Sequence, residues 1–192
     1  MEYFSDLVFD DVNGKERPLA KAEYEACTFR RCDLQGFSFN GFRFVDCLFE
    51  DCNLSLIRTG NTGIQSTKFT NCKLLGIHFE KCNTFNLSFS FHKCQLNHSS
   101  FYQLKIKKTF FQNTQLREVD FTECDLSGST FDDCDLTDAT FEQTNAEQCD
   151  FSKAFGYTID PEKNRVSKAR FSVMGLGGLL AKYDIKVDDA VT

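Results

Sequence analysis

Residues 124–143 read Cys124-Asp125-Leu126-Ser127-Gly128, Ser129-Thr130-Phe131-Asp132-Asp133, Cys134-Asp135-Leu136-Thr137-Asp138, Ala139-Thr140-Phe141-Glu142-Gln143. A large apolar residue stands at the centre of each group of five. A small residue (Cys, Ser or Ala) stands two places before it. Toward the N-terminus the centres continue at Phe121, Leu116, Phe111, Ile106, Phe101 and Leu96. Two extra residues, placed after Phe89, shift the series. It then runs back through Phe79, Leu74, Phe69, Ile64, Leu54, Phe49, Phe44, Phe39 and Leu34 to Phe29, slipping only at Thr59 and Thr84. Toward the C-terminus it reaches Ala146 and Phe151.

Period five fits neither a helix at 3.6 nor a plain strand at two. A short strand plus a corner fits it. The centre and the residue two before it point inward, the residue between them points outward, and the remaining two turn the chain. Identity sorts by twenty. Phe9, Phe29, Phe49, Phe69, Phe89, Phe111, Phe131, Phe151 and Phe171 form one set; Leu34, Leu54, Leu74, Leu96, Leu116 and Leu136 form the next. Four units therefore close one coil, and like residues stack on like. The chain reads as a four-sided parallel solenoid. Each coil rises about 4.8 Å, so the rod is about 40 Å long.

All 10 cysteines occupy the small inner position, where they read as small hydrophobes. Cys32, Cys52, Cys72, Cys94 and Cys134 share one column, but no C-x-x-C pair marks a zinc site. A redox or metal ladder is the weaker reading. The 22 Phe residues read as core rather than as a ligand channel. With a net charge of -6, the chain has no basic excess for phosphate, so direct nucleic-acid binding is not expected. No apolar run approaches about 18 residues, so no membrane span is expected. Met1-Glu2-Tyr3-Phe4-Ser5-Asp6 lacks a signal-peptide pattern, and a cytoplasmic location with reduced thiols is expected. His78, His92 and His98 join no nucleophile or metal motif, and Gly175-Leu176-Gly177-Gly178 lacks the lysine of a phosphate loop. No catalytic residue, cofactor or metal is expected.

Two further features concern surfaces. From Glu118 to Ser152 stand eleven acids and no Lys or Arg: Glu118, Asp120, Glu123, Asp125, Asp132, Asp133, Asp135, Asp138, Glu142, Glu147 and Asp150. Basic residues cluster earlier, at Lys105, Lys107 and Lys108. The two extra residues predict a bulge around Phe91, His92 and Lys93, with Phe85, Tyr102 and Phe110 pointing outward nearby. At the end, Ser172 predicts the cap of a helix from about Val173 to Tyr183, with Leu176, Leu179, Leu180 and Tyr183 on one face. Gly175, Gly177 and Gly178 weaken that helix. Ile185 and Val187 then alternate like a short strand.

The units at 124–143 and the five-residue period resemble the pentapeptide-repeat family. The resemblance covers about residues 7 to 171. It implies an all-β fold, a right-handed quadrilateral parallel β-helix over 1–171, with a short capping helix and tail over 172–192. The ending Ile159-Asp160-Pro161, Asn164, Phe171, Leu179-Leu180, Tyr183, Ile185, Val187 resembles the quinolone-resistance (Qnr-type) and microcin-immunity branch. That resemblance implies a homodimer joined through the C-terminus at Leu176, Leu179, Leu180, Tyr183, Ile185 and Val187. It also implies a DNA mimic that binds DNA gyrase or topoisomerase IV and protects it from a quinolone- or microcin-like poison. The acids Glu118, Asp120, Glu123, Asp125, Asp132, Asp133, Asp135, Asp138 and Glu142 are then the candidate partner surface. The long protruding loops of many members are missing, which weighs against drug protection. Two alternatives stand beside the mimic: the acids are an ordinary solvated surface, or the rod is an interaction scaffold whose partner is unrelated to DNA.

Overall fold

The computed structural model describes residues 1–186. The chain winds as a four-sided parallel solenoid, and its early coils each carry two strands. These are β1 (Glu2–Ser5) and β2 (Val8–Asp10), β3 (Ala22–Glu25) and β4 (Thr28–Arg30), β5 (Arg43–Val45) and β6 (Leu48–Glu50), then β7 (Gly63–Gln65) and β8 (Thr67–Thr70). Later coils keep one strand each: β9 (Phe89–His92), β10 (Phe110–Gln112), β11 (Thr130–Asp132), β12 (Asp150–Phe151) and β13 (Arg170–Phe171). The 9-stranded sheet from β2 to β13 is the Phe face, and the 4-stranded sheet β1-β3-β5-β7 is the fourth face. Single bridges such as Gln115 with Asp135 on the Leu face, and Asp120 with Thr140 on the third face, complete the square.

The period of twenty is a register. Phe9 pairs with Phe29, Phe29 with Phe49 and Phe111 with Phe131. Rings then stack at one strand spacing: Phe29 and Phe49 lie 4.5 Å apart at 9°, and Phe131 and Phe151 lie 4.8 Å apart at 8°. The Leu column from Leu34 to Leu136 is fully buried. The last residue of most units turns the corner in the left-handed region, from Arg31 (φ 51°) to Gln148 (φ 59°). None of these corner residues is β-branched, since branching at Cβ makes that conformation costly.

The two extra residues lie elsewhere than expected. Phe69 pairs with Phe91, and Thr67 pairs with Phe89. Phe91, fully buried, is therefore the member of the Phe column, stacked on Phe69 at 5.3 Å and on Phe111 at 5.4 Å. The bulge falls at 84–88, where Thr84 and Phe85 are exposed while Leu87 turns into the core. His92 sits in β9, paired with Thr70 and Gln112. Phe89 takes the inner place usually held by a small residue. Its ring packs against Phe79 at 5.4 Å and Phe91 at 5.1 Å, and Leu87 is the buried apolar residue of the bulge.

The expected helix over 173–183 is also broken up. A 3-10 turn at Val173–Gly175 leads into α1 (Gly177–Leu180), only 4 residues long, and a second 3-10 turn at Ala181–Tyr183. Ser172 caps as expected, its hydroxyl accepting from Gly175 N at 3.1 Å. The glycines let this segment lie flat on Tyr157. A Cβ at Gly178 would stand 2.1 Å from Tyr157 O, and one at Gly175 1.8 Å from its hydroxyl, whereas one at Gly177 meets nothing within 4 Å. The price of their flexibility is offset by a close approach that no other residue permits.

Candidate functional site

The acidic stretch wraps all four faces, because its residues fill outward and corner positions of successive units. Asp132, Asp133 and Asp150 lie on the Phe face and its corner. Asp135, Glu118 and Asp138 lie on the Leu face and its corner. Asp120, Glu123 and Glu142 lie on the third face, and Asp125 and Glu147 on the fourth.

Neighbouring coils supply bases to most of them. Lys107 pairs with Asp125 (3.1 Å), Lys153 with Asp132 (2.8 Å), Lys163 with Glu142 (3.1 Å), Arg165 with Glu147 (2.8 Å) and Arg170 with Asp150 (2.9 Å). Arg117 lies 3.9 Å from Asp135, and His98 3.2 Å from Glu118. The Lys153 ammonium holds the Asp132 carboxyl below the usual range. The Ser152 hydrogen bond does the same for Asp150, with help from Arg170. Burial pushes Asp125 up, but the Ser127 and Lys107 hydrogen bonds outweigh it. Among the described residues Asp120, Glu123, Asp133 and Asp138 have no basic partner.

One face gathers more acid than the others. Asp120, Glu123, Glu142, Asp160 and Glu162 occupy the third face in three successive coils, with Glu118 and Asp138 at its corner. Asp160 and Glu162 fall outside the base-free stretch, and a count along the chain passes over them. The period of twenty finds them: Asp120 leads to Asp160, and Glu142 to Glu162. Lys182 reaches across from the C-terminal segment to both, at 2.8 Å and 2.6 Å, and holds both carboxyls below their ordinary values.

At the C-terminal end, Leu179 packs on the core while Leu176, Leu180, Tyr183 and Ile185 stay exposed. Val173 and Met174, each 83% exposed, extend this apolar surface, which the sequence pattern did not single out. Val187 lies outside the described residues. All 10 cysteines are buried and free. Among the described residues, no group of three or more His, Cys, Asp or Glu is placed to hold a metal ion, and no helix is long and apolar enough to cross a membrane.

A family model described as the pentapeptide repeat region matches residues 22–90 and 78–151. The chain belongs to the pentapeptide-repeat family. Among solved structures this pentapeptide-repeat chain is similar to QnrB1, a plasmid-mediated fluoroquinolone resistance protein. A trypsin-treated form superposes with a TM-score of 0.66 at 16% identity, covering 97% of this chain and 100% of that one. The full-length form gives 0.63 at 15%, covering 95% and 100%. HetL, a pentapeptide-repeat protein involved in heterocyst differentiation regulation in the cyanobacterium Nostoc, gives 0.52 at 10%, covering 88% and 86%. At these identities the likeness is one of fold. No curated protein sequence matches the chain.

Proposed function

We propose that this pentapeptide-repeat protein is a non-enzymatic binding protein for a type II topoisomerase, DNA gyrase or topoisomerase IV, and acts as a DNA mimic through its third face. Support comes first from the acid density there. Seven acids span three coils, or about 15 Å with side chains, which is one per about 2 Å. Pairing with Lys163 and Lys182 lowers this to about one per 3 Å, against about one per 1.7 Å for duplex DNA. The fold shared end to end with a fluoroquinolone resistance protein points the same way. On this reading residues 172–192 cap the rod and join two copies, which would place two acidic regions on one dimer. A cytoplasmic location follows from the partner.

The scaffold reading keeps one observation in its favour. Most acids of the base-free stretch are tied to bases of the next coil, as expected of surface ladders that serve the rod itself.

The test is gyrase supercoiling with titrated protein. Wild type should inhibit at micromolar concentration, or protect from a quinolone below it. Asp120→Lys with Glu123→Lys and Asp138→Lys should abolish the effect, while Asp132→Asn, Asp133→Asn and Asp135→Asn together should weaken it less. Equal activity of both variants with wild type would leave the scaffold reading in place.

A further inference from the structure

Residues 81–117 contain no Asp or Glu. They wind once around the rod and beyond, carrying Lys81, Lys93, Lys105, Lys107, Lys108 and Arg117, between Glu80 on one side and Glu118 on the other. Among the described residues Lys81, Lys93, Lys105 and Lys108 make no ion pair, while Lys107 and Arg117 face Asp125 and Asp135. Three exposed aromatic rings lie in the same belt: Phe85 (69% exposed), Phe110 (42%) and Tyr102 (37%).

On the fourth face this belt contains a break in the hydrogen-bond ladder. Gly63 N donates to Phe42 O, Asn83 N to Thr62 O, Asp125 N to Leu104 O and Asn145 N to Cys124 O. Lys105 N, which stands between the second and third of these, has no acceptor among the described residues; the coil before it bows out at Thr84 and Phe85, while Leu87 stays in the core. The bow is held in place. Asn83 Oδ1 accepts from Phe85 N at 2.9 Å, Gln65 Nε2 donates to Phe85 O at 3.4 Å, and Ser66 N donates to Ser88 Oγ at 2.8 Å. Phe85 lines a groove together with Met1, Arg43, Gly63, Gln65 and Asn83, in which Arg43 is tied to Glu23 at 3.1 Å.

We propose that this groove and the lysines beside it are a docking surface for an extended acidic segment of a partner protein. The segment would lie along the fourth face, with an apolar side chain against Phe85 and carboxylates at Lys105 and Lys108. The fixed conformation of the 84–88 bow lowers the ordering cost of binding. A nucleic-acid strand fits less well. The three exposed rings lie on different faces, so successive bases cannot stack on them. This surface is separate from the acidic third face and does not rest on topoisomerase binding.

The test uses the full chain and three fluorescent probes: a peptide of about ten residues alternating Glu and Leu with one Phe, the same peptide with Lys for Glu, and a single-stranded thymidine oligonucleotide. The acidic peptide should bind best, and less tightly as salt is raised. Lys105→Glu with Lys108→Glu should weaken it about tenfold or more, and Phe85→Ser about fivefold, with unchanged thermal unfolding because these side chains carry little core energy. Lys168→Glu, away from the belt, should change nothing. Acidic peptide bound no better than basic, or variants equal to wild type, would overturn the proposal. Tighter binding of the oligonucleotide would do so as well, and would make the belt a nucleic-acid surface.

Discussion

Cysteine, serine and threonine interchange at the small inner position because each brings a donor as well as a small volume. Cys52 Sγ donates to Phe29 O at 3.3 Å and Cys72 Sγ to Phe49 O at 3.4 Å. Thr62 Oγ1 donates to Phe39 O at 2.7 Å, and Thr144 Oγ1 to Phe121 O at 2.8 Å. The position was legible as small; its hydrogen bond to the preceding coil was not, because partner carbonyls 23 residues away leave no mark in a side-chain pattern. Burial pushes the thiols of Cys47, Cys82, Cys134 and Cys149 up to about 12. The folded chain therefore keeps protons that the unfolded chain releases above about pH 9, so stability holds below pH 9 and falls as pH rises toward 12. The urea midpoint should be level to about pH 8.5 and then decline, and a midpoint unchanged at pH 11 would contradict the buried thiols. The corners make a second residue-scale prediction. Gln143 sits at φ 53°, where β-branching is unfavourable. Gln143→Val should lower stability by about 1–2 kcal/mol, while Gln143→Gly should be neutral or stabilising, as read by thermal unfolding.

At the scale of single elements, the sequence carries the strand period clearly but not its phase at β9. Phe89-Ser90-Phe91 alternates, so Phe89 and Phe91 both satisfy an inward position, and a slip of two residues preserves which side chains face inside. Only stacking decides, and Phe91 is the ring held between Phe69 and Phe111. Phe91→Ala should cost about 3–5 kcal/mol, since stacked neighbours cannot close the space. Phe85→Ala, at the tip of the bow, should stay within about 0.5 kcal/mol. The C-terminal segment teaches a related lesson. Its glycines look like helix breakers in the sequence, yet Gly178 accepts from Ile159 N at 3.0 Å and crosses Tyr157 at a distance that admits no Cβ. Gly178→Ala should lift the segment from Tyr157 and destabilise that end by about 1–3 kcal/mol or more, as overpacking does. Gly177→Ala, which meets open space, should leave both stability and solution mass unchanged.

Across the whole molecule, an acid-free belt at 81–117 adjoins a base-free band at 118–152, so charge is segregated along the rod as well as around it. The acidic window was visible in the sequence. Its neutralisation was not, because Lys107, Lys153, Arg165 and Arg170 reach their partners from the adjacent coil. The two rod ends also differ. Solenoid edges invite association unless covered, and here the C-terminal cover itself exposes Val173, Met174, Leu176, Tyr183 and Ile185. Two copies joined there would form a particle about twice the length of one rod, near 80 Å, with the acidic coils flanking the seam. Light scattering should give a dimer mass, and small-angle scattering a maximum dimension that doubles relative to a monomeric variant. Leu176→Asp with Ile185→Asp should yield that monomer with the β spectrum intact, since both side chains point to solvent. Removing 172–192 goes further: it uncovers Tyr157 and Phe171 as well, and should produce aggregation rather than a clean monomer. If the Asp variants keep the wild-type mass and length, the C-terminal segment is a cap alone, and any pairing must use another face of the rod.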